Sequence, residues 1–115
     1  MHLIQKSFKF SAAHCLPSLG PTNKCNFLHG HNYQVTVGVE RSELDEHGMV
    51  VDCAEITKVI APIIQRLDHS NLNDSFDFPT TSENLAKWFY DQLTVVDPSW
   101  VEVAETESIK ARYWK

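Results

Sequence analysis

The sequence lacks the features that define several large classes of protein. No apolar run approaches the roughly 20 residues of a membrane-spanning helix, and the N-terminus has no apolar stretch followed by a small-residue cleavage site. No cluster of lysine and arginine is present, and the formal net charge is −5, which disfavours a nucleic-acid-binding surface. We therefore expect neither a membrane nor a nucleic acid as a partner.

Cysteine is scarce and has no pattern. Cys15, Cys25 and Cys53 are odd in number and include no C-x-x-C pair, which argues against a disulfide framework and against a zinc ribbon. These cysteines fit a reducing, cytoplasmic environment. The 115 residues are 43% hydrophobic and 22% charged, with no repeat or low-complexity tract, so we predict one domain over residues 1–115.

Alternation of apolar and polar residues predicts the strands. The segments with this period-two pattern are 3–14, 31–39, 100–106 and 109–113. A short partner strand is expected at Met49–Asp52, after a polar turn.

Two segments have the pattern of helices instead. Asp52 followed by Glu55 predicts the start of the first helix, and Thr80 followed by Glu83 predicts the start of the second. Each is followed by an apolar face of helical period, formed by Ile56, Val59, Ile60, Ile63, Ile64 and Leu67 in the first and by Leu85, Trp88, Phe89 and Leu93 in the second. The element order ββ(β)ααββ predicts an α+β fold, an antiparallel sheet with both helices on one face.

Three histidines are candidate metal ligands. His29 and His31 lie at positions i and i+2 of a strand, so their imidazoles project from the same face. His14 continues the inward parity of the first strand and could complete a three-histidine set, which catalytic zinc sites use with one open position. In the alternative interpretation the pair occurs by chance and His14 is a core histidine bonded to the backbone. Spacing alone does not decide between them.

Cys25 precedes His29 on a long loop, and two roles compete for it. As a fourth ligand it would close a structural zinc site. As a free thiol beside a cation it would have a lowered pKa and act as a base.

Two acidic positions have two interpretations each. Glu105 continues the apolar row of Val101 and Val103, where it could accept two N–H donors of a planar ligand, or simply lie at an exposed strand end. Asp68 and His69 follow the first helix, where His69 could transfer protons or merely stabilise the helix dipole.

Five ordered motifs together resemble a known family, the 6-pyruvoyl-tetrahydropterin and 6-carboxytetrahydropterin synthases. They cover nearly the whole chain and are Phe8–His14 (FKFSAAH), Cys25–Tyr33 (CNFLHGHNY), Leu67–His69 with Leu72–Asn73, Pro79–Asn84 (PTTSEN) and Glu105–Thr106. The resemblance implies the tunnelling fold, a four-stranded antiparallel sheet with two helices on one face. It also implies homohexamers, built as dimers of trimers, with active sites at subunit boundaries.

The resemblance further implies a role for each candidate residue. His14, His29 and His31 would bind catalytic Zn²⁺, and Cys25 would abstract a proton from 7,8-dihydroneopterin triphosphate. Asp68 and His69 would complete the proton relay, and Glu105 would anchor the pterin ring.

The spacing between cysteine and H-G-H separates branches of that family. Three residues lie between Cys25 and His29, as in the carboxy-forming enzymes of queuosine biosynthesis, whereas the animal pyruvoyl-forming enzymes have five. The resemblance thus favours a zinc-dependent lyase that forms 6-carboxytetrahydropterin and releases acetaldehyde and triphosphate. The alternatives are a 6-pyruvoyl-tetrahydropterin synthase and a non-catalytic, zinc-stabilised binding module.

Overall fold

Two long strands that pair along their whole length organise the fold. In the computed structural model, which describes residues 1–115, strands β1 (His2–His14) and β2 (His29–Arg41) form an antiparallel ladder of 13 residue pairs. Directly opposed residues face the same side of a sheet. The alternation predicted from the sequence therefore becomes one apolar face, on which Phe10 lies opposite Tyr33.

Three shorter strands complete the sheet, whose order is β3-β1-β2-β4-β5. Strands β4 (Trp100–Ala104) and β5 (Lys110–Tyr113) form the predicted closing hairpin, and β4 pairs antiparallel with β2. Strand β3 (Ser70–Asn71) pairs parallel with the end of β1.

The α+β class is confirmed, but the expected four-stranded antiparallel sheet is wrong. The sheet has five strands and is mixed, because two residues of β3 join β1 in parallel. Two residues are too few to produce a detectable alternation. Two hydrogen bonds to the backbone of Ser11 hold the start of this segment in place. The Ser11 amide donates to the Asp68 carboxylate at 2.9 Å, and the Ser11 carbonyl accepts from the His69 amide at 2.6 Å.

The short strand expected at Met49–Asp52 is absent. The Asp45 amide donates to the Met49 carbonyl at 2.8 Å, and the Asp45 carboxylate accepts from the Met49 amide at 3.0 Å. Both backbone groups of Met49 are therefore used inside the turn and do not enter a ladder.

The structure has three helices where two were expected: α1 (Cys53–Leu67), α2 (Leu72–Ser75) and α3 (Ser82–Gln92). Asp52 caps α1 as predicted by accepting from the Ala54 amide. The prediction for α3 is displaced by one residue, because Thr81 is the cap and accepts from the Asn84 amide. None of the helices has the length and apolar character of a membrane span.

Helices α1 and α3 both pack on the apolar face of the sheet. They form one core with the strands, whose fully buried members include Tyr33, Val35, Val37, Ile56, Ile60, Leu85, Phe89 and Val103. Burial of each such aliphatic or aromatic side chain contributes about 1.5–3 kcal/mol to folding. The core lies beside the middle of the β1–β2 ladder, and the candidate histidines lie at its end.

The Trp100 ring covers Gly38 and leaves no space for a side chain there. A Cβ atom at Gly38 would overlap the Trp100 ring. The Arg112 guanidinium lies over a face of that ring, 3.8 Å from the ring centroid. We expect Gly38→Ala to lower the free energy of unfolding by about 1–3 kcal/mol, because the ring must move. Urea denaturation measures this change.

Gly30→Ala is the matched control. The nearest atom to a Cβ at Gly30 is the Ala12 carbonyl oxygen at 3.6 Å, so we expect a change below about 1 kcal/mol. Equal losses in the two variants would show that the contact with Trp100 is not the cause.

Candidate metal centre and ligand-binding site

The register of the ladder brings the three candidate histidines together. His14 lies directly opposite His29, and His31 lies two residues further along the same face of β2. One ligand atom from each ring lies within 4.8 Å of the other two. The three rings meet edge to face, with centroids 4.6–5.2 Å apart.

Hydrogen bonds fix the orientation of two of these rings. His14 donates from Nδ1 to the Thr80 carbonyl at 2.9 Å, and His29 donates from Nδ1 to the Phe27 carbonyl at 2.7 Å. A ring that donates from Nδ1 has its lone pair on Nε2, where it can bind a metal. The Nε2 atoms of His14 and His31 are buried and have no hydrogen-bond partner. This arrangement fits a divalent ion held by three imidazoles.

Burial also favours the neutral, metal-binding form of two histidines. It lowers the pKa of His14, although the bond to the Thr80 carbonyl opposes this effect. It likewise lowers the pKa of His31, against the opposing charge of Glu105. Both imidazoles are therefore ready to act as ligands without first losing a proton.

Glu105 lies next to the histidine cluster, although it follows β4 in sequence. Its Oε2 is 3.5 Å from Nε2 of His31 and 4.0 Å from Nε2 of His14. The side chain is only 20% exposed, and the two imidazole nitrogens near its carboxylate form no hydrogen bond with it. Glu105 is therefore not a freely solvated strand-end charge, and its oxygens are available to a ligand.

An open sheet edge produces the cavity beside Glu105. Strand β4 ends at Ala104, opposite Gln34, so the part of β2 from Gly30 to Tyr33 has no strand on that side. The cavity is lined by this edge, by the loop from Ala104 to Glu107 and by Lys9 and Lys110. Unpaired backbone groups and the Glu105 carboxylate thus border the same space.

Tyr33 is a site residue that reasoning from the sequence overlooked. Its ring stacks on Phe10 with the centroids 5.0 Å apart and meets His14 and His31 edge to face. Its hydroxyl is buried and has no hydrogen-bond partner. Burial, reinforced by the charge of Glu105, raises the pKa of Tyr33, so the hydroxyl keeps its proton. The sequence feature that could have indicated Tyr33 is its hydroxyl group, because the other residues at alternate positions of this strand, from Val35 to Val39, are apolar.

Asn73 and Thr80 form hydrogen bonds that hold the end of β1 and the His14 ring in place. Asn73 accepts from the Cys15 amide at 3.0 Å and donates to the Cys15 carbonyl at 2.9 Å. Thr80 is fully buried, and its carbonyl holds His14. The sequence interpretation gave Thr80 only the role of a helix start. Its position just before Thr81, the true cap, leaves its carbonyl free for the imidazole.

Cys25 lies on the loop between β1 and β2, in a short 3-10 turn over Lys24–Asn26. Its carbonyl accepts from the Leu16 amide at 2.7 Å, and its amide donates to the Asn23 side chain at 2.9 Å. Its sulfur is not among the clustered ligand atoms. This placement favours a free thiol over a fourth metal ligand.

Asp68 and His69 lie within hydrogen-bond distance of each other, and His69 lines a cavity that His31 also lines. Asp68 Oδ2 lies 3.0 Å from His69 Nδ1, and the His69 side chain is 83% exposed. The Ser11 amide, together with His69, holds the pKa of Asp68 below its usual range. His69 adopts a left-handed backbone conformation with φ of 59°, which is uncommon for a residue with a side chain and clusters at functional sites.

The family model for 6-pyruvoyl tetrahydropterin synthase matches residues 3–115. The chain belongs to this family. It is 38% identical to the 6-carboxy-5,6,7,8-tetrahydropterin synthase of Synechocystis over 99% of this chain and 94% of the relative. It is 34% identical to the putative 6-carboxy-5,6,7,8-tetrahydropterin synthase of Archaeoglobus fulgidus, over 91% and 89% of the two chains.

Among solved structures, the chain resembles the 6-pyruvoyl tetrahydropterin synthase of Caenorhabditis elegans. The TM-score is 0.84 at 29% identity, over 99% of this chain and 95% of the other. The predicted family is therefore confirmed, and so is a fold of the pterin-synthase type. Two of these three proteins are named 6-carboxy-5,6,7,8-tetrahydropterin synthases, and the third is named a 6-pyruvoyl tetrahydropterin synthase.

We predict that the combined His14→Ala, His29→Ala and His31→Ala substitutions abolish metal binding. These imidazoles form the chain's one group of three or more histidine, cysteine or acidic side chains whose ligand atoms converge on one point. The measurement is metal content by mass spectrometry after saturation with zinc and desalting. His47→Ala, on an exposed turn, should leave the content unchanged. A folded triple variant that still holds one zinc per chain would show that the assignment is wrong.

Proposed function

We propose that the chain is a zinc-dependent 6-carboxy-5,6,7,8-tetrahydropterin synthase. Its substrates would be 7,8-dihydroneopterin triphosphate and one water molecule, and its products would be 6-carboxytetrahydropterin, acetaldehyde and triphosphate, as queuosine biosynthesis requires. The observation that carries the proposal is the convergence of three imidazoles beside a carboxylate without hydrogen-bond donors, in a cavity at the sheet edge.

His14, His29 and His31 would hold the zinc ion through the ligand atoms that converge. Three protein ligands and one open position are the arrangement of catalytic zinc sites. The chemistry that zinc supplies when bound there is Lewis-acid polarisation of the substrate's side-chain oxygens, which acidifies the adjacent C–H bond.

Glu105 would orient the pterin ring. A pterin presents adjacent N–H donors in one plane, and a carboxylate can accept two of them at once. The Glu105 carboxylate has no donor within the chain and faces the cavity. A ring held in this way would place its side chain toward the histidines, which lie about 4 Å away.

Cys25 would remove the acidified proton, because it lies on the loop that leads directly into His29 and His31. Asp68 and His69 would then relay protons to and from the substrate. The His69 ring is exposed, so we infer that it acts at the site of a neighbouring subunit in a homohexamer. Assembly would also cover the sheet edges that a single chain leaves open.

The spacing of three residues between Cys25 and His29 and the similarity to the Synechocystis protein support the carboxy-forming activity. The similarity to the C. elegans structure supports the alternative, a 6-pyruvoyl-tetrahydropterin synthase. Product analysis separates them. The zinc-loaded protein, incubated with 7,8-dihydroneopterin triphosphate, should release acetaldehyde and form the carboxypterin. A pyruvoyl product without acetaldehyde would assign the chain to the sister activity.

We predict that Cys25→Ala retains zinc, fold and pterin binding but lowers turnover by a factor on the order of 10²–10⁴, the usual contribution of a positioned acid–base group. Turnover is followed by acetaldehyde release, and zinc content by mass spectrometry. Cys53→Ala, at the start of α1, is the matched control and should keep its activity. A Cys25→Ala protein without metal would favour a structural site in a non-catalytic binding module.

A further inference from the structure

Four buried side-chain atoms of the chain lack a hydrogen-bond partner: His14 Nε2, His31 Nε2, Tyr33 Oη and Ser82 Oγ. The two imidazole nitrogens are accounted for if they bind a metal. The Tyr33 hydroxyl is not accounted for, because no donor or acceptor of the chain lies within hydrogen-bond distance of it. Buried hydroxyl groups in folded proteins are almost always bonded, so a group without a partner in a binding site indicates a missing one.

Packing gives the Tyr33 ring a fixed place beside the site. Phe10 stacks on it at 5.0 Å, with an interplanar angle of 12°. Its centroid lies 5.9 Å from that of His14 and 5.5 Å from that of His31. Tyr33 also lines the cavity that Glu105 borders. The Tyr33 side chain is fully buried in this arrangement.

Near Glu105, the chain presents acceptor atoms that have no hydrogen-bond donor. His14 uses its Nδ1 proton on Thr80, so its Nε2 presents a lone pair. The Glu105 carboxylate is an acceptor without a donor. The Tyr33 hydroxyl can donate, and the Glu105 carboxylate, which lines the same cavity as Tyr33, can accept.

We propose that Tyr33 is a positioning residue that acts through Glu105. With ligand bound, its hydroxyl donates to the Glu105 carboxylate, directly or by way of one bound water, and fixes the plane in which that carboxylate receives the ligand's N–H groups. The ligand class, a pterin, rests on the proposed function. The role of Tyr33 rests on its own buried and unpartnered hydroxyl.

The first test is Tyr33→Phe in the zinc-loaded protein, which removes one hydroxyl and retains the stacked ring. Because Glu105 would hold the pterin in both ground and transition states, the KM should rise about tenfold while kcat changes by less than about threefold. Tyr90→Phe removes a hydroxyl from α3, outside the cavity, and should change neither constant. An unchanged KM in Tyr33→Phe would overturn the inference.

A double-mutant cycle with Glu105→Gln distinguishes positioning from packing. If Tyr33 acts through Glu105, Tyr33→Phe should weaken binding in the wild-type background and add nothing in the Glu105→Gln background. Equal losses in both backgrounds would mean that the hydroxyl acts independently of Glu105, which contradicts the proposal. The binding of neopterin, measured by its fluorescence, gives this cycle without dependence on turnover.

The same measurement separates the two proposals. A wild-type protein that binds no neopterin and converts no substrate would overturn both. A wild-type protein that binds neopterin and is matched by Tyr33→Phe would overturn only the role of Tyr33.

A spectroscopic arm covers the case in which Tyr33→Phe does not fold. The chain has three tyrosines, so replacing Tyr90 and Tyr113 by phenylalanine leaves Tyr33 alone. With ¹³Cζ-labelled tyrosine and neopterin bound, the single NMR signal should shift on Glu105→Gln, because the hydroxyl loses its charged acceptor. A signal that does not move would overturn the proposal.

Discussion

The register of the β1–β2 ladder is the constraint on which the rest of the molecule depends. Side chains alternate between the two faces of a sheet, so a slip of one residue would carry every inward group to the opposite face. With His14 opposite His29, the same alignment places the apolar row beside the helices and all three imidazoles at one end. Core packing therefore constrains the geometry of the site, because a slip of one residue would expose the apolar row.

The polar end of that ladder is held by groups from three separate segments. Asn73 bonds both backbone groups of Cys15, the Thr80 carbonyl fixes His14, and Ser11 bonds the Asp68–His69 turn. The bond from His14 to Thr80 is buried, and the others are partly buried, so each satisfies polar groups that have limited access to water. These contacts hold the end of β1, which leads into a long loop, against the rest of the chain. They also account for a fifth strand of only two residues.

The site lies where the sheet is incomplete. Strand β4 stops at Ala104 while β2 continues to His29, and the loop that follows β4 returns Glu105 to the imidazoles. The unpaired edge leaves space for a planar ligand, and the carboxylate gives that space an acceptor.

Local pattern determined much of this protein. Alternation located β1, β2 and the closing hairpin, and the Asp52 cap and helical periodicity located α1, because neighbours in the chain set these features. The family motifs could also be identified from the sequence, because residue type alone specifies the chemical groups of His14, His29, His31 and Glu105.

The features that could not be predicted depended on contacts between distant segments. Strand β3, the turn that replaces a strand at Met49, the bond from Thr80 to His14 and the unpartnered hydroxyl of Tyr33 are decided only when the chain is folded. The hydrogen bond between His14 and Thr80 joins residues 66 positions apart. No sequence pattern predicts it, because its acceptor is a backbone carbonyl, which every residue has. The chemistry was therefore encoded locally, whereas its geometry was set by the tertiary structure.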